Sequence, residues 1–147
     1  PKIASYPFTT LNPMVGVLEF DDFKRCTIAD IPGLIEGAHE HRGLGHEFLR
    51  HITRCCLLLF VVDMAGSECR DPVSDIETLR TEIKLYDPDL SQLDWLVVAN
   101  KMDLDGADDN LIHFRQRFPK VDIVPISAKL EEGLDGLREL LCERVGE

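Results

Sequence analysis

Residues 56–62, Cys-Leu-Leu-Leu-Phe-Val-Val, form a run that is apolar on both faces of an extended chain. A strand with two apolar faces must be covered on both sides, which is typical of the centre of a parallel sheet. Short apolar runs of this kind alternate with amphipathic stretches along all 147 residues. The alternation predicts one α/β domain, residues 1–147, with a mostly parallel sheet flanked by helices.

Four further strands are predicted from the same pattern. Residues 15–20 and 24–29 predict an antiparallel hairpin that turns at the Asp-Asp pair 21–22. Residues 95–99 and 123–126 predict two more strands, each of them apolar.

Helices are predicted where apolar residues recur at intervals of three or four. Ser74 and Glu77 form a capping box, which predicts that a helix starts at Ser74. The four expected buried stripes are Leu44, Phe48 and Ile52; Ile76, Leu79 and Ile83; Leu111, Phe114 and Phe118; and Leu134, Leu137 and Leu141.

The charge and cysteine content limit the possible partners and compartments. With 16 basic and 27 acidic residues, the chain carries a net charge of -11. Nucleic acid therefore requires a local basic patch or another domain. The five cysteines are odd in number and follow no metal spacing, which favours free thiols in a reducing cytosol. No apolar stretch approaches ~20 residues, so no membrane span is expected.

Ligands of open parallel sheets bind beyond the carboxyl ends of the strands, so the segments that follow each strand are the candidate site. The first is Asp30-Ile31-Pro32-Gly33. An aspartate there can hold Mg²⁺ through water, and the glycine lets a backbone N–H approach a phosphate. An ordinary Pro-Gly turn is the alternative.

The second segment is Asn100-Lys101-Met102-Asp103, directly after the strand 95–99. One carboxylate can accept both the N1–H and the 2-amino group of guanine, a donor pair that adenine lacks, so Asp103 would select guanine. Asn100 can contact the purine N7 edge or tie neighbouring loops together. The aliphatic stem of Lys101 can lie along the base.

The third segment is Ser127-Ala128-Lys129, after the strand 123–126. The N–H of Ala128 can donate to guanine O6, and a small residue permits that approach. The first and third segments are weak signals alone, and an exposed polar loop is the alternative for the second, which the buried strand before it disfavours. The three in this order, each behind its own strand, predict a guanine-nucleotide site.

The three segments resemble the G3, G4 and G5 boxes of P-loop GTPases. Residues 6–11, Tyr-Pro-Phe-Thr-Thr-Leu, followed by Pro13, are similar to the first switch of the Obg family. Residues 30–38, with Gly-Leu-Gly at 43–45 and Phe-Leu-Arg-His-Ile at 48–52, resemble its second switch. The resemblance covers essentially the whole chain. It implies a three-layer, Ras-like G domain, present here from the first switch to the final helix.

The resemblance also implies a role for each candidate residue and Mg²⁺ as the cofactor. On the phosphate side, Thr10 would bind Mg²⁺ and sense the γ-phosphate, with Thr9 as the alternative. Asp30 would hold Mg²⁺ through water, and the N–H of Gly33 would touch the γ-phosphate. Ile31 and Pro32 complete that loop. The residues implied to surround the base are Asn100, Lys101, Asp103, Ser127, Ala128 and Lys129.

Ras-like GTPases place a glutamine after this glycine to orient the attacking water. Here the position holds Leu34, followed by Ile35, and neither side chain can orient water. The family shares this substitution, which implies slow turnover aided by a cation or a partner. The catalytic residue is not identified by the sequence.

A second departure concerns the phosphates. The 147 residues contain no Gly-x-x-x-x-Gly-Lys-Ser/Thr, the loop whose backbone cradles phosphates. In the family that loop lies shortly upstream, together with the first strand and first helix. The expectation is that this segment alone is not a competent GTPase.

The second switch is rich in histidine and arginine. His39, His41, His46 and His51 lack zinc spacing, so a metal site is disfavoured. Arg42, Arg50 and Arg54 make the segment locally basic, which suits either ribosomal RNA or a solvated helix face.

Three functions are compatible with the sequence. The resemblance implies a cytoplasmic GTP-hydrolysing switch that acts in large ribosomal subunit assembly and in growth and stress control. A guanine-nucleotide sensor with negligible turnover is the alternative, which Leu34 favours. An ATP-preferring relative is the third possibility, against which Asp103 argues.

Overall fold

The computed structural model describes residues 3–5, 14–30 and 55–145. Six strands and three α-helices lie in these ranges, and the strands form two sheets of three strands each. The strands are β1 (Ile3–Ser5), β2 (Met14–Glu19), β3 (Arg25–Ala29), β4 (Leu57–Asp63), β5 (Asp94–Asn100) and β6 (Asp122–Pro125), and the helices are α1 (Pro72–Tyr86), α2 (Ala107–Arg117) and α3 (Leu134–Val145).

The first sheet is antiparallel, in the order β1-β2-β3. β2 and β3 form the predicted hairpin, with Val15 opposite Ala29 and Glu19 opposite Arg25. A 3₁₀ turn at Asp21–Phe23 connects them, and the Phe20 N–H closes the hairpin on the Lys24 carbonyl at 2.7 Å. β1 was not predicted from the sequence, because three residues are too few to show an alternating pattern.

The second sheet is parallel, in the order β4-β5-β6. β5 is the central strand, and four of its consecutive residues, Leu96, Val97, Val98 and Ala99, are buried. The prediction that residues 56–62 form the central strand is therefore wrong for the described sheet. β4 lies at its edge, and Val61 is 61% exposed. Both runs are strongly apolar, and the run that lies at the edge is the more apolar of the two, so composition does not separate the centre from the edge.

Helix α1 begins two residues before the predicted start at Ser74. Pro72 is the first helical residue, where its missing N–H costs nothing. Asp71 is the N-cap, since its carboxylate accepts the Val73 N–H at 3.3 Å and the Ser74 hydroxyl at 3.0 Å. The Asp71 carbonyl also accepts the first helical hydrogen bond, from the Asp75 N–H at 2.9 Å. Ser74 thus supports the cap and does not form it.

The predicted buried stripes are confirmed in part, because Leu79, Leu111, Phe118 and Leu137 are only half-buried. Ile76 and Ile83 are buried on α1, and Phe114 is fully buried on α2. Leu141 is buried on α3, whereas Leu134 at the start of the same helix is 37% exposed, contrary to the prediction. The stripe containing Leu44, Phe48 and Ile52 lies outside the described residues.

The chain divides into two compact units. One contains the antiparallel sheet, Leu79–Leu93 and the chain from Leu141 onwards. The other contains Leu57–Thr78 and Asp94–Leu140, and therefore the whole parallel sheet. Three aromatic rings of the second unit pack edge to face. The ring centroids of Phe60 and Trp95 are 5.5 Å apart, and those of Trp95 and Phe118 are 6.0 Å apart. The α/β class is confirmed, while the single domain stays a prediction.

Candidate guanine-nucleotide site

The parallel register brings the second and third predicted site segments together at the carboxyl end of the second sheet. Asp63, the last residue of β4, is paired with Asn100, the last residue of β5. The segment after β6 is tied to the same edge, because the Ile126 N–H donates to the Ala99 carbonyl at 2.8 Å and the Met102 N–H donates to the Ile126 carbonyl at 3.1 Å. The loops 101–106 and 126–133 are therefore neighbours, at the end of the sheet where ligands of parallel sheets bind.

Asn100 connects these two loops. Its side-chain oxygen accepts the backbone N–H of Ala128 at 3.0 Å. Of the two roles expected for Asn100, this geometry corresponds to tying loops together. The Ala128 N–H that was expected to face guanine O6 is thus bonded to Asn100 in this structure.

Ser127 holds Asp103 in place. The Ser127 hydroxyl donates to Oδ1 of Asp103 at 2.8 Å and accepts the Leu130 N–H at 3.2 Å. Ser127 is 1% exposed, whereas Asp103 is exposed. A buried hydroxyl therefore orients a carboxylate that stays open to a ligand. Lys129, the last residue of the third motif, is exposed beside them.

Gly133 closes the loop that carries Ser127. The backbone N–H groups of Ser127 and Glu132 each donate to the carbonyl of the other residue at 3.0 Å. Gly133 follows with φ of +78°, and a Cβ there would lie 2.5 Å from the Pro125 carbonyl oxygen. Both the positive φ and the close backbone approach require glycine at this position.

Lys101 makes an ion pair that the sequence did not predict. Its Nζ lies 3.0 Å from Oδ2 of Asp63, and Oδ1 of Asp63 accepts the Ala65 N–H at 3.0 Å. Lys101 itself has φ of +66°, a left-handed backbone that is uncommon outside glycine. Asp63 belongs to none of the three predicted site segments. A signal was nevertheless present, since Asp63 directly follows the apolar run 56–62.

The environment of Asp63 favours its charged form. Partial burial raises the pKa of the Asp63 carboxyl, but hydrogen bonds from Lys101 and Ser67 and the Lys101 charge lower it by more. The net result is a pKa of Asp63 below its ordinary value of 3.8. The Asp63 carboxyl is thus charged at neutral pH.

The phosphate side of the predicted site is described only at Asp30. Asp30 directly follows β3 and is exposed, and a single carboxylate of this kind suits Mg²⁺, which keeps most of its water. The other predicted residues lie outside the described residues; they are Thr9, Thr10, Ile31, Pro32, Gly33, Leu34 and Ile35, with the histidines 39, 41, 46 and 51 and the arginines 42, 50 and 54.

The three described helices, α1, α2 and α3, run for 15, 11 and 12 residues. Within residues 3–5, 14–30 and 55–145, none of them has the length and apolar character needed to span a bilayer.

Comparison with known proteins identifies the family. Residues 1–101 match the family model described as "50S ribosome-binding GTPase". The GTPase Obg of Akkermansia muciniphila is 68% identical over 99% of this chain, and that of Opitutus terrae is 49% identical over 99%. The chain spans 42% and 43% of the length of these two relatives.

Solved structures support the same fold. Era in complex with MgGDPNP and a segment of 16S ribosomal RNA has a TM-score of 0.62 at 23% identity, covering 92% of this chain and 45% of that one. A variant of Era from Aquifex aeolicus bound to GDP and AlF₄⁻ has a TM-score of 0.58 at 20% identity, covering 90% of this chain and 44% of its own. Because the family model matches residues 1–101, more than half of the chain, the chain belongs to the 50S ribosome-binding GTPase family, and its G-domain sequence is of the Obg type.

Proposed function

We propose that the full-length protein binds GDP and GTP through Asp103 and hydrolyses GTP slowly. The observation that carries this proposal is the bond from the buried Ser127 hydroxyl to Oδ1 of Asp103. A carboxylate fixed by a buried donor and still exposed is a preorganised acceptor for two adjacent N–H donors. Guanine presents such a pair, and adenine does not.

The base preference is tested by nucleotide competition. Wild-type protein should bind GDP and fail to be competed by ADP. The Asp103→Asn variant presents one donor and one acceptor, which match the 2-carbonyl and N1–H of xanthine. It should therefore lose GDP affinity and gain affinity for xanthosine diphosphate. Equal binding of GDP and ADP by the wild type would contradict the proposal.

The phosphates require a contact that these 147 residues do not supply by any recognised loop. We propose that a glycine-rich phosphate loop upstream in the full-length protein provides it. GDP binding should be measured for this chain and for a version extended upstream through that loop. Binding by the extended form alone is the expected result. Tight Mg²⁺-dependent binding by the chain itself would contradict this part of the proposal.

Hydrolysis would use Mg²⁺ held by Thr10, with Thr9 as the alternative, and by Asp30 through water. The N–H of Gly33, beside Ile31 and Pro32, would contact the γ-phosphate. When bound, Mg²⁺ would neutralise charge on the phosphates. Phosphate release by the full-length protein should be Mg²⁺-dependent, and Asp30→Asn should slow it while Asp21→Asn, at an exposed turn, should not. We assign no water-orienting residue.

The proposed partner is the large ribosomal subunit, and the proposed compartment is the cytoplasm. The family description names the 50S ribosome, and all five cysteines are free thiols, which suits a reducing compartment. Assembly of the large subunit, linked to growth and stress control, is the cellular role we propose. Co-sedimentation of the full-length protein with purified 50S subunits, in GDP and in a non-hydrolysable GTP analogue, tests the partner. No binding in either state would contradict it.

A guanine-nucleotide sensor without useful turnover is the second candidate. Leu34 favours it, because a leucine cannot orient the attacking water. The two candidates differ in one measurement. A sensor keeps its GTP in the presence of 50S subunits and K⁺, whereas a GTPase hydrolyses it faster under those conditions. A Thr10→Ala variant of a pure sensor should also still bind GDP and its partner.

A further inference from the structure

The Asp63–Lys101 ion pair joins two residues 38 positions apart at the edge of the candidate site. The pair follows from the parallel register, which sets Asp63 beside Asn100, the residue before Lys101. The side chain of Asp63 is 19% exposed and that of Lys101 is 45% exposed. The carboxylate is thus the sheltered partner, and the lysine is the partner that a ligand can reach.

Lys101 is held in an unfavourable backbone conformation. A non-glycine residue with φ near +66° persists where its surroundings fix it on both sides. Before Lys101, the Asn100 carbonyl accepts the Met64 N–H at 3.0 Å. After it, the Met102 N–H donates to Ile126, and the Lys101 carbonyl accepts the Leu104 N–H at 3.1 Å. The backbone of Lys101 is therefore fixed, and only its side-chain torsion angles are left free to vary.

Asp63 is fixed in the same way. The Ala65 N–H bonds to its side chain, and the Gly66 N–H donates to its carbonyl at 3.2 Å. From α2, the Asn110 side-chain amide donates to the Met64 carbonyl at 2.9 Å, which anchors the same turn. A carboxylate held this firmly is a fixed point for a flexible ammonium group.

We propose that Asp63 is a positioning residue for the purine site, which holds the Lys101 ammonium so that the aliphatic stem of Lys101 is preset beside the base. This inference rests on the proposed guanine site. A free lysine loses much rotamer freedom when its stem packs on a ligand. If Asp63 restricts the stem before binding, that loss no longer opposes nucleotide binding, and the affinity rises.

The test is a double-mutant cycle on GDP affinity in the full-length protein, with a fluorescent ribose-labelled GDP as the probe. The variants are Asp63→Asn, Lys101→Met and the double change. Asp75→Asn is the matched control, because it breaks a comparable ion pair, Arg70–Asp75 at 3.1 Å, within the same unit. Asp63→Asn should weaken GDP binding by roughly fivefold, and Asp75→Asn should leave it unchanged.

The cycle separates positioning from general stabilisation. If Asp63 acts through Lys101, Asp63→Asn has no further effect in the Lys101→Met background. Additive effects, or an unchanged GDP affinity for Asp63→Asn, would overturn the inference. Inosine diphosphate lacks the 2-amino group, yet its affinity should fall by the same factor as that of GDP, because the stem contacts the ring face. A larger loss of affinity for GDP than for inosine diphosphate would show that Asp63→Asn acts through Asp103, and it would also overturn the inference.

Two controls keep the outcome clear. Thermal unfolding without nucleotide shows whether Asp63→Asn is folded. If Asp63→Asn is unfolded, the GDP affinities of Lys101→Arg and Lys101→Met are compared instead. The arginine variant keeps a cation for Asp63, so it should bind GDP more tightly than the methionine variant. Equal affinities of those two would overturn the inference. Failure of the wild type to bind guanine nucleotides would instead refute the proposed function itself.

Discussion

The Ser127 hydroxyl donates a 2.8 Å hydrogen bond to Asp103, which lies 24 residues earlier in the chain. The two residues follow different strands, β6 and β5, and meet because those strands are parallel neighbours. The orientation of the carboxylate is therefore a property of the sheet and not of its own loop.

Replacement of Ser127 by alanine should weaken GDP binding by about tenfold. A hydrogen bond to a charged group contributes about 1.5 kcal/mol, and its loss frees Asp103 to rotate. The measurement is GDP titration of the full-length protein. Ser74→Ala, which removes an exposed bond to Asp71, is the control and should bind GDP normally. Normal binding by Ser127→Ala would show that the bond does not orient the carboxylate for the base.

Replacement of Gly133 by alanine should destabilise the chain by about 2 kcal/mol or more. The left-handed backbone alone costs of order 1–3 kcal/mol, and the added Cβ would lie 2.5 Å from the Pro125 carbonyl oxygen. Gly136→Ala is the matched control. Gly136 lies inside α3, and nothing lies within 4 Å of the position that its Cβ would occupy, so alanine should stabilise by about 0.5–1 kcal/mol. Urea unfolding measures both, and equal changes would contradict the argument.

The stability contributed by Asp63 should depend on pH. Its pKa is lowered in the folded state, so the contribution is fully present above the ordinary value of 3.8 and is lost as pH falls through the folded pKa. Asp63→Asn should therefore lower the free energy of unfolding by about 0.5 kcal/mol near neutral pH, and the difference from wild type should shrink below pH 3.8 and vanish below the folded pKa. Asp105→Asn, at an exposed turn, provides the control. A difference that persists in acid would mean that lost packing, and not lost charge, explains the effect.

Truncation of Phe114 to alanine should destabilise the second unit by about 3–5 kcal/mol. Phe114 is fully buried, and its ring centroid lies 4.9 Å from that of Phe118. The Phe118 ring in turn packs against Trp95. Trp95 is the one tryptophan of the sequence, so its fluorescence reports unfolding of this cluster. Ile112→Ala, on the exposed side of the same helix, should change stability by less than about 1 kcal/mol. Similar losses for the two variants would contradict the assigned core.

The elements were predicted well where one local rule decides them. The hairpin of β2 and β3 was found because a polar turn interrupts two apolar runs, and α2 was found from Leu111 and Phe114. The start of α1 was misplaced because both Asp71 and Ser74 are good capping residues. Pro72 was the better indicator, since it favours the first helical position.

Strand order was harder to predict, because it depends on pairing between distant residues. The runs 57–63 and 94–100 are similarly apolar. The pairing that places β5 between β4 and β6 is not indicated by the sequence of any one strand. The same limit applies to the site. Asn100, Asp103 and Ser127 were recognised by motif, but Asp63 gains its role from the register with β5. Its position became informative when the partner strand was known.

The register of β4 against β5 also couples the candidate guanine-nucleotide site to the hydrophobic core. A slip of one residue would set Asp63 opposite Ala99 or Lys101 and exchange the two faces of β4, which would carry the buried Leu58, Phe60 and Val62 to the other side. Such a misaligned chain loses its core and its ligand contacts together. Recognition of the nucleotide should consequently disappear in one cooperative step when the protein is heated, without a population that binds weakly.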